Sequence, residues 1–573
     1  MNYKERYNSW LTDPAIDEAT KAELRVLTDE KEIEDRFYRN LEFGTAGLRG
    51  ILGAGTNRMN PYIVGRATEG LARYLSTQSG AAERGVVIAH DSRHMSAEFA
   101  RRTALVLCAH GIRTYLFPSL RAVPQLSFAI GHLRCAAGVV ITASHNPSQY
   151  NGYKVYGDNG AQINPSMASE ITRCIEGVES FGQVRLIGEE EAKASGLLTI
   201  LGPEEDEAYY AYTAQQVLDP AVMRAASEFK VVYTPLFGSG NLPVQRMLKD
   251  AGITKLYVVK EQQEPNGDFP GLSAPNPEVP EALDRAMALA DEVGADLVLA
   301  TDPDADRLGV AVRNHGSFVT LTGNQIGCLV LHYRLMKLKE QGRLPENGLV
   351  VRSIVSTTFA DAICAHFGVE LQQVLTGFRF IGEKIDQSEK DHRYSFLFGF
   401  EESYGFLSGT RVRDKDAICA ALMLSETAAW YSTRGMTLYE GLMELYSIFG
   451  CYREKVRSYT LGGKAGMEKI AAAMEALRAA PPVAFGAEKV EAVCDYARRC
   501  RTSADGESPI ALPASNVLYY ELGNGNWLCI RPSGTEPKLK VYAGCSAPDE
   551  AAADARLTAL MNASNALLAP YLA

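Results

Sequence analysis

The feature that most constrains this chain is a repeated rhythm. An apolar run too short for a helix ends in a polar loop, and a segment with helical patterning follows. Residues 85–89 form the first such run, ending at Asp91, and residues 96–110 read as a helix with Ser96 as its cap. Strands are expected at 112–117 and 136–142, then again at 229–233, followed by a loop over 234–240 and a helix through Lys249. A helix over 278–293 precedes the apolar run 296–300. The rhythm restarts with a strand at 348–354, a helix at 357–367, a strand at 396–400 and a long helix at 414–432. Such βαβ alternation requires mixed or parallel sheets covered by helices. The architecture repeats without any repeat at residue level.

The two ends differ from this pattern. An amphipathic stretch over 13–40 leads into Phe43-Gly44-Thr45-Ala46-Gly47-Leu48-Arg49-Gly50. After Gly450 come a charged strand, an alanine-rich helix at 465–478 and an acidic, Pro/Ser-containing stretch at 502–515. Strands at 516–522 and 527–530 and a closing helix at 548–568 complete a smaller α+β unit with an antiparallel sheet. A chain of 573 residues exceeds one core, and four domains are expected, over 1–204, 205–313, 314–445 and 446–573.

Two loops at strand exits carry the strongest chemical signal. Gly138-Val139-Val140-Ile141 runs into Thr142-Ala143-Ser144-His145-Asn146-Pro147, which offers a serine hydroxyl at the mouth of a buried strand. Asp296-Leu297-Val298-Leu299-Ala300 runs into Asp302-Pro303-Asp304-Ala305-Asp306-Arg307. In an extended segment residues two apart point the same way, so the three carboxylates are expected to converge on one cation. An oxygen-only set suits a hard ion, and Mg²⁺ is the expected one. The EF-hand alternative fails, because that loop needs Gly at position six and Glu at position twelve, where this chain has Arg307 and Arg313. A serine nucleophile beside a Mg²⁺ site points to phosphoryl transfer through a phosphoserine.

Composition narrows the partners. A formal net charge of −11 argues against nucleic acid and acidic membranes, so an anionic substrate must meet a locally basic site. Residues 1–10 are polar and charged, without the apolar stretch of a signal peptide, and no apolar run is long enough to span a bilayer. The 11 cysteines are scattered, with no Cys-x-x-Cys pair. That usage fits reduced, buried thiols and a cytoplasmic location.

Two further loops fit the same chemistry. Arg531-Pro532-Ser533-Gly534-Thr535-Glu536-Pro537-Lys538 reads as an oxyanion cradle, in which arginine supplies a planar fork and the hydroxyls and backbone add neutral donors. Glu401-Glu402-Ser403-Tyr404-Gly405 offers acceptors for sugar hydroxyls, and Phe378-Arg379-Phe380 a further phosphate or sugar contact. Four loops, one per expected domain, suggest a cleft where domains meet.

These loops, in this order and spacing and over essentially the whole chain, resemble those of the α-D-phosphohexomutase superfamily, the phosphoglucomutase/phosphomannomutase family. The resemblance implies a heart-shaped molecule of three related α/β domains and a divergent C-terminal α+β domain around a central cleft. It implies that Ser144 is phosphorylated in the resting enzyme and that Ser144, Asp302, Asp304 and Asp306 ligate Mg²⁺. Arg531, Ser533, Gly534, Thr535 and Lys538 would hold the non-reacting phosphate, and Glu401 and Ser403 the sugar hydroxyls, with Lys415, Arg307 and Arg379 assisting. Arg49, His145 and Lys154 match cationic or proton-handling positions; Lys154 or Arg49 is expected as acid or base, with His145 in support.

The activity implied is interconversion of glucose 1-phosphate and glucose 6-phosphate through glucose 1,6-bisphosphate, by a monomer or weak dimer. One departure matters. Phe400 stands between Gly399 and Glu401, where related sugar loops begin Gly-Glu. That leaves mannose or pentose phosphates open as substrates, although the Glu-Glu-Ser core favours glucose. A non-catalytic sugar-phosphate binder and a Mg²⁺ phosphatase are the readings from other classes.

Overall fold

A computed structural model describes residues 1–44, 46–533 and 538–572. The chain packs as two compact units, Met1–Thr322 with Ile381–Gly399 and Ser403–Thr437, and Gly323–Phe380 with Phe400–Glu402 and Leu438–Ala573.

The first unit contains two mixed sheets. The larger has the order Gly47–Ile51, Tyr150–Gly157, Ala137–Ile141, Val86–His90, Thr114–Leu116, Leu198–Ile200. Its central strands run in parallel, and the Gly47–Ile51 and Tyr150–Gly157 edge is antiparallel. Along Val86–His90, Val86 and Ile88 enter one hydrophobic cluster while Val87 and Ala89 enter another. Both faces of the sheet are therefore covered, which is why the strand is an unbroken apolar run and not an alternating one. The second sheet has the order Ser317–Leu321, Leu308–Asn314, Leu297–Thr301, Lys230–Thr234, Lys255–Val258. The helix Ala417–Thr433 packs on helices Asn241–Asp250 and Pro220–Ala225 of the same unit.

In the second unit Gly348–Ser353 pairs in parallel with Glu370–Val374. An eight-stranded antiparallel sheet carries the C-terminal part, with Cys451–Thr460 next to Lys538–Ala547 and then Trp527–Pro532. Helices Gly463–Ala479 and Glu550–Leu572 pack on it. All 11 cysteines are unpaired thiols, nine of them buried. Among the described residues no helix is long and apolar enough to cross a membrane.

Three local expectations change. Ser96 is the first helical residue and not the cap: Met95 occupies the cap in a left-handed conformation, and the Ser96 hydroxyl donates to Asp91 instead, at 2.7 Å. The helix expected from 414 starts at Ala417, because the Asp416 carboxylate accepts from Cys419 N at 2.8 Å and caps it. Asp414 and Lys415 are thereby left in the preceding loop. The stretch 502–515 takes part in a hairpin, Cys500–Ser503 with Gly506–Pro509, turning at Ala504-Asp505.

One close approach ties the second sheet to the 302–306 loop. A Cβ at Gly238 would lie 2.4 Å from Pro303 Cα and 2.8 Å from Pro303 O. Beside it Ser239 donates both its N–H and its hydroxyl to Pro303 O, at 2.9 and 2.8 Å. Gly238→Ala should therefore push on the 302–306 turn and destabilise the fold by about 1–3 kcal/mol, a melting shift of a few degrees. Calorimetry checks this, and an unchanged melting temperature would show that Pro303 yields without cost.

Candidate active site

Ser144 sits at the exit of the strand Ala137–Ile141, buried, with a left-handed φ of 52°. A non-glycine residue there is strained and must be held by its surroundings. Its N–H donates to Thr142 Oγ1 at 2.8 Å, and Thr142 Oγ1 in turn donates to Asp91 Oδ2 at 2.7 Å. The Ser144 hydroxyl donates to Asp302 Oδ2 at 2.7 Å and lies 3.2 Å from His145 Nδ1. Burial, with the cationic Arg307 and Arg49 nearby, pushes the His145 imidazole well below its ordinary range and keeps it neutral.

The three carboxylates do converge, but not through a pleat. Residues 303–305 form a turn, with Ala305 left-handed at φ 50° and its N–H donating to Asp302 O at 2.9 Å. Asp302 Oδ1 accepts from the N–H groups of Asp306 and Arg307, at 3.1 and 3.0 Å. One oxygen from each of Asp302, Asp304 and Asp306 then lies within 4.8 Å of the others, and all three residues are buried.

Their charges are managed unequally. Burial, then Asp304 and Asp306, pushes the Asp302 carboxyl well above its usual range. Burial would raise Asp306 as well, but Lys415, Lys154 and Arg307 outweigh it and hold that carboxylate low. Lys154, on the strand Tyr150–Gly157, bonds Asp304 Oδ2 at 2.9 Å and lies 4.0 Å from Asp306. Lys415 bridges Asp306 at 3.0 Å and Asp414 at 2.9 Å. Its stem passes over Gly405, where a Cβ would be 2.2 Å from Lys415 Cδ. Burial opposes the charge on Lys415, yet Asp306 and Asp414 keep its ammonium strongly protonated. Arg307 pairs with Glu278 through a short contact.

The donor set fits a hard divalent cation. Asp304 Oδ1 and Asp306 Oδ1 are buried acceptors with no hydrogen-bond partner, so each leaves a lone pair for an ion. Asp302, Asp304 and Asp306 could hold Mg²⁺, with the Ser144 oxygen adjacent.

Arg49 lies on Gly47–Ile51 opposite Gly152, in the same unit as these groups. Ser403 precedes Tyr404, whose carbonyl accepts from Leu308 N at 3.1 Å.

The second unit holds the other sequence-derived residues. Glu401, at the end of Ser395–Glu401, accepts from Gly377 N at 2.6 Å. Glu402 accepts from Ser353 Oγ at 2.9 Å, while its N–H donates to Ser356 Oγ at 3.1 Å. Arg379 stacks over Phe380 at 4.8 Å. Arg531 reaches Tyr542 OH at 3.5 Å, and Ser533 N donates to Lys538 O at 2.7 Å. Gly534 and Thr535 lie outside the described residues.

Sequence reasoning missed Asp91, Arg93, Glu278 and Asp414 as partners of these groups. For Asp91 and Arg93 the available signal was a polar triplet directly after an apolar strand.

The phosphoglucomutase/phosphomannomutase domain descriptions match in order: alpha/beta/alpha domain I at residues 40–181, domain II at 207–316, domain III at 322–449 and the C-terminal domain at 467–558. A phosphoglucomutase of Staphylococcus aureus strain MRSA252 is 37% identical over 533 residues, covering 91% of this chain and 92% of the relative. Among solved structures, parafusin from Paramecium, a phosphoglucomutase in its open form, superposes with a TM-score of 0.68 at 17% identity, covering 93% of this chain and 96% of that one. A family protein from Burkholderia thailandensis gives 0.63 at 19% identity, covering 92% and 97%. The chain belongs to the phosphoglucomutase/phosphomannomutase family, with three α/β domains and a C-terminal domain made mostly of strands.

Titrating Mg²⁺ calorimetrically should show one site in the wild type. Asp304→Asn should weaken it about tenfold or more, since one of three charged ligands is lost. Equal affinity would place the ion elsewhere.

Proposed function

We propose that the protein acts as a phosphoglucomutase, interconverting glucose 1-phosphate and glucose 6-phosphate through a phosphorylated Ser144 and glucose 1,6-bisphosphate. The observation that carries this reading is the Ser144 hydroxyl, buried and in contact with both Asp302 and His145, in a chain 37% identical to a curated phosphoglucomutase. The division into four domains at 1–204, 205–313, 314–445 and 446–573 is part of the proposal, supported by the four matched segments. So are a cytoplasmic location and a monomeric or weakly dimeric state.

The sugar's free 6-hydroxyl attacks the phosphorus of phosphoserine 144. The Ser144 Oγ–P bond breaks, a new O6–P bond forms, the hydroxyl loses its proton and Oγ gains one. After the bisphosphate turns over, Oγ attacks the phosphorus at O1, and O1 leaves with a proton. His145, neutral and 3.2 Å from Oγ, could accept the serine proton when Oγ attacks, while the proton that Oγ gains as it leaves must come from another group. Lys154 and Arg49 are the candidates for the substrate hydroxyl. Asp302, Asp304 and Asp306 would hold Mg²⁺, which would supply charge neutralisation at the transferring group. Lys415 keeps Asp306 ionised for that purpose. Arg307, released from Glu278, and Arg379 would contact the substrate, Glu401 and Ser403 its hydroxyls. Arg531, Ser533, Gly534, Thr535 and Lys538 would take the non-reacting phosphate.

A coupled assay with glucose 1-phosphate, Mg²⁺ and trace glucose 1,6-bisphosphate should yield glucose 6-phosphate with little free phosphate. Turnover should stop with a chelator and return with Mg²⁺. Ser144→Ala should lose at least about 10³-fold in rate. Faster turnover of mannose or ribose 1-phosphate would reassign the sugar, and stoichiometric phosphate release would make the protein a phosphatase.

A further inference from the structure

We propose that Arg93 is a positioning residue for phosphoryl transfer, its guanidinium holding the nucleophile loop in register by binding four of its main-chain carbonyls. This rests on the phosphoglucomutase reading for its kinetic consequence, though not for its structural one.

The geometry is unusual for a buried arginine. Nη1 donates to Pro147 O at 2.8 Å and Tyr150 O at 3.0 Å. Nη2 donates to Ser144 O at 2.6 Å and, through a short contact, to Asn146 O. Each terminal nitrogen carries two N–H groups, so all four are spent on carbonyls between residues 144 and 150. Nε faces Asp91 Oδ2 at 3.3 Å, and the Arg93 N–H donates to Asp91 Oδ1 at 3.0 Å. The guanidinium lies over the Phe269 ring, 5.0 Å from its centroid. Arg93 is 3% exposed, so water has little access to these groups.

The site explains why such a clamp is needed. Ser144 is held at positive φ, and the loop that follows it has few other main-chain bonds: Asn146 N to Ala143 O at 3.1 Å, Tyr150 N to Pro147 O at 3.1 Å and Leu52 N to Gln149 O at 2.8 Å. Carbonyls turned inward without donors would each cost about 1–3 kcal/mol, which would favour a different loop conformation. The planar fork satisfies four at once; an ammonium, a point charge with three donors, cannot.

The same fork also links both ends of the loop to the strand before it. Asp91 anchors Arg93 and also accepts from Thr142 Oγ1, the hydroxyl that takes the Ser144 N–H. Arg93 thereby fixes where Oγ stands, without touching substrate or the reacting atoms. The Phe269 face and the neighbouring His94–Asp268 pair, at 2.7 Å, tie the clamp to the segment that precedes the carboxylate-bearing strand.

Two variants of the full chain, Arg93→Lys and Phe269→Leu, test this by hydrogen–deuterium exchange and steady-state kinetics. In Arg93→Lys, amide exchange over residues 142–150 should accelerate about tenfold or more while other strands keep wild-type rates. Its kcat should fall about 10²-fold with KM for glucose 1-phosphate within about threefold, the signature of a misplaced nucleophile. Phe269→Leu keeps all four carbonyl bonds and should show the same pattern at a few-fold amplitude. Wild-type exchange and kcat in folded Arg93→Lys would overturn the proposal. If that variant does not fold, unchanged exchange and kcat in Phe269→Leu would overturn it. Inactive wild type whose loop exchange still responds to Arg93→Lys would keep the clamp and remove the phosphoglucomutase reading.

Discussion

The structure around Ser144 depends on keeping three buried carboxylates together. With oxygens within 4.8 Å of one another, each fully ionised pair would repel by about 3–4 kcal/mol at an effective dielectric constant near 20, about 10 kcal/mol for the three. That is the size of a whole domain's net stability, so the fold must supply counter-charge or leave a proton in place. It does both. Lys154 answers Asp304, Lys415 answers Asp306, and Asp302, with no ammonium of its own, is the carboxyl pushed towards protonation. A divalent cation taking the two unpartnered oxygens would offset the same repulsion that pushes Asp302 upward.

Each counter-charge is delivered by a different part of the chain, and that dictates much of the local architecture. Lys154 comes from an antiparallel strand of the first sheet, Tyr150–Gly157, which lies between Gly47–Ile51 and the strand that presents Ser144. Lys415 comes from the loop left open because Asp416, and not Asp414, caps the following helix. Had the helix begun two residues earlier, Asp414 could not both receive Tyr156 OH at 2.8 Å and hold Lys415 at 2.9 Å. Helix capping, which elsewhere contributes only stability, here decides where a charge stands.

What was legible in the sequence follows from burial. Strands covered on both faces, such as Val86–His90 and Leu297–Thr301, were plain as unbroken apolar runs. Tyr150–Gly157 was not, because Asn151, Gly152 and Gly157 break both periodicities although the strand is almost wholly buried. Ser144 and the aspartates could be read because their chemistry is contiguous in the chain. Their convergence was expected for the wrong reason: a left-handed residue at Ala305 gathers them, and side-chain alternation does not. Asp91, Arg93, Glu278 and Asp414 act through partners far away in sequence, and such pairings leave no local pattern.

Positive-φ residues recur at the tips of these loops, at Ser144, Ala305 and Tyr404, with none of them glycine. Each conformation is offset by bonds that a relaxed backbone would not make: Thr142 to the Ser144 N–H, Asp302 to the Asp306 and Arg307 N–H groups, and Leu308 to Tyr404 O. A loop held in this way has one well-populated geometry, where a glycine loop would sample many. Phosphoryl transfer needs little covalent chemistry from the protein and a great deal of alignment. Strain stored at three loop tips and restrained by buried polar contacts is therefore a direct route from these residues to a Ser144 hydroxyl that stands still.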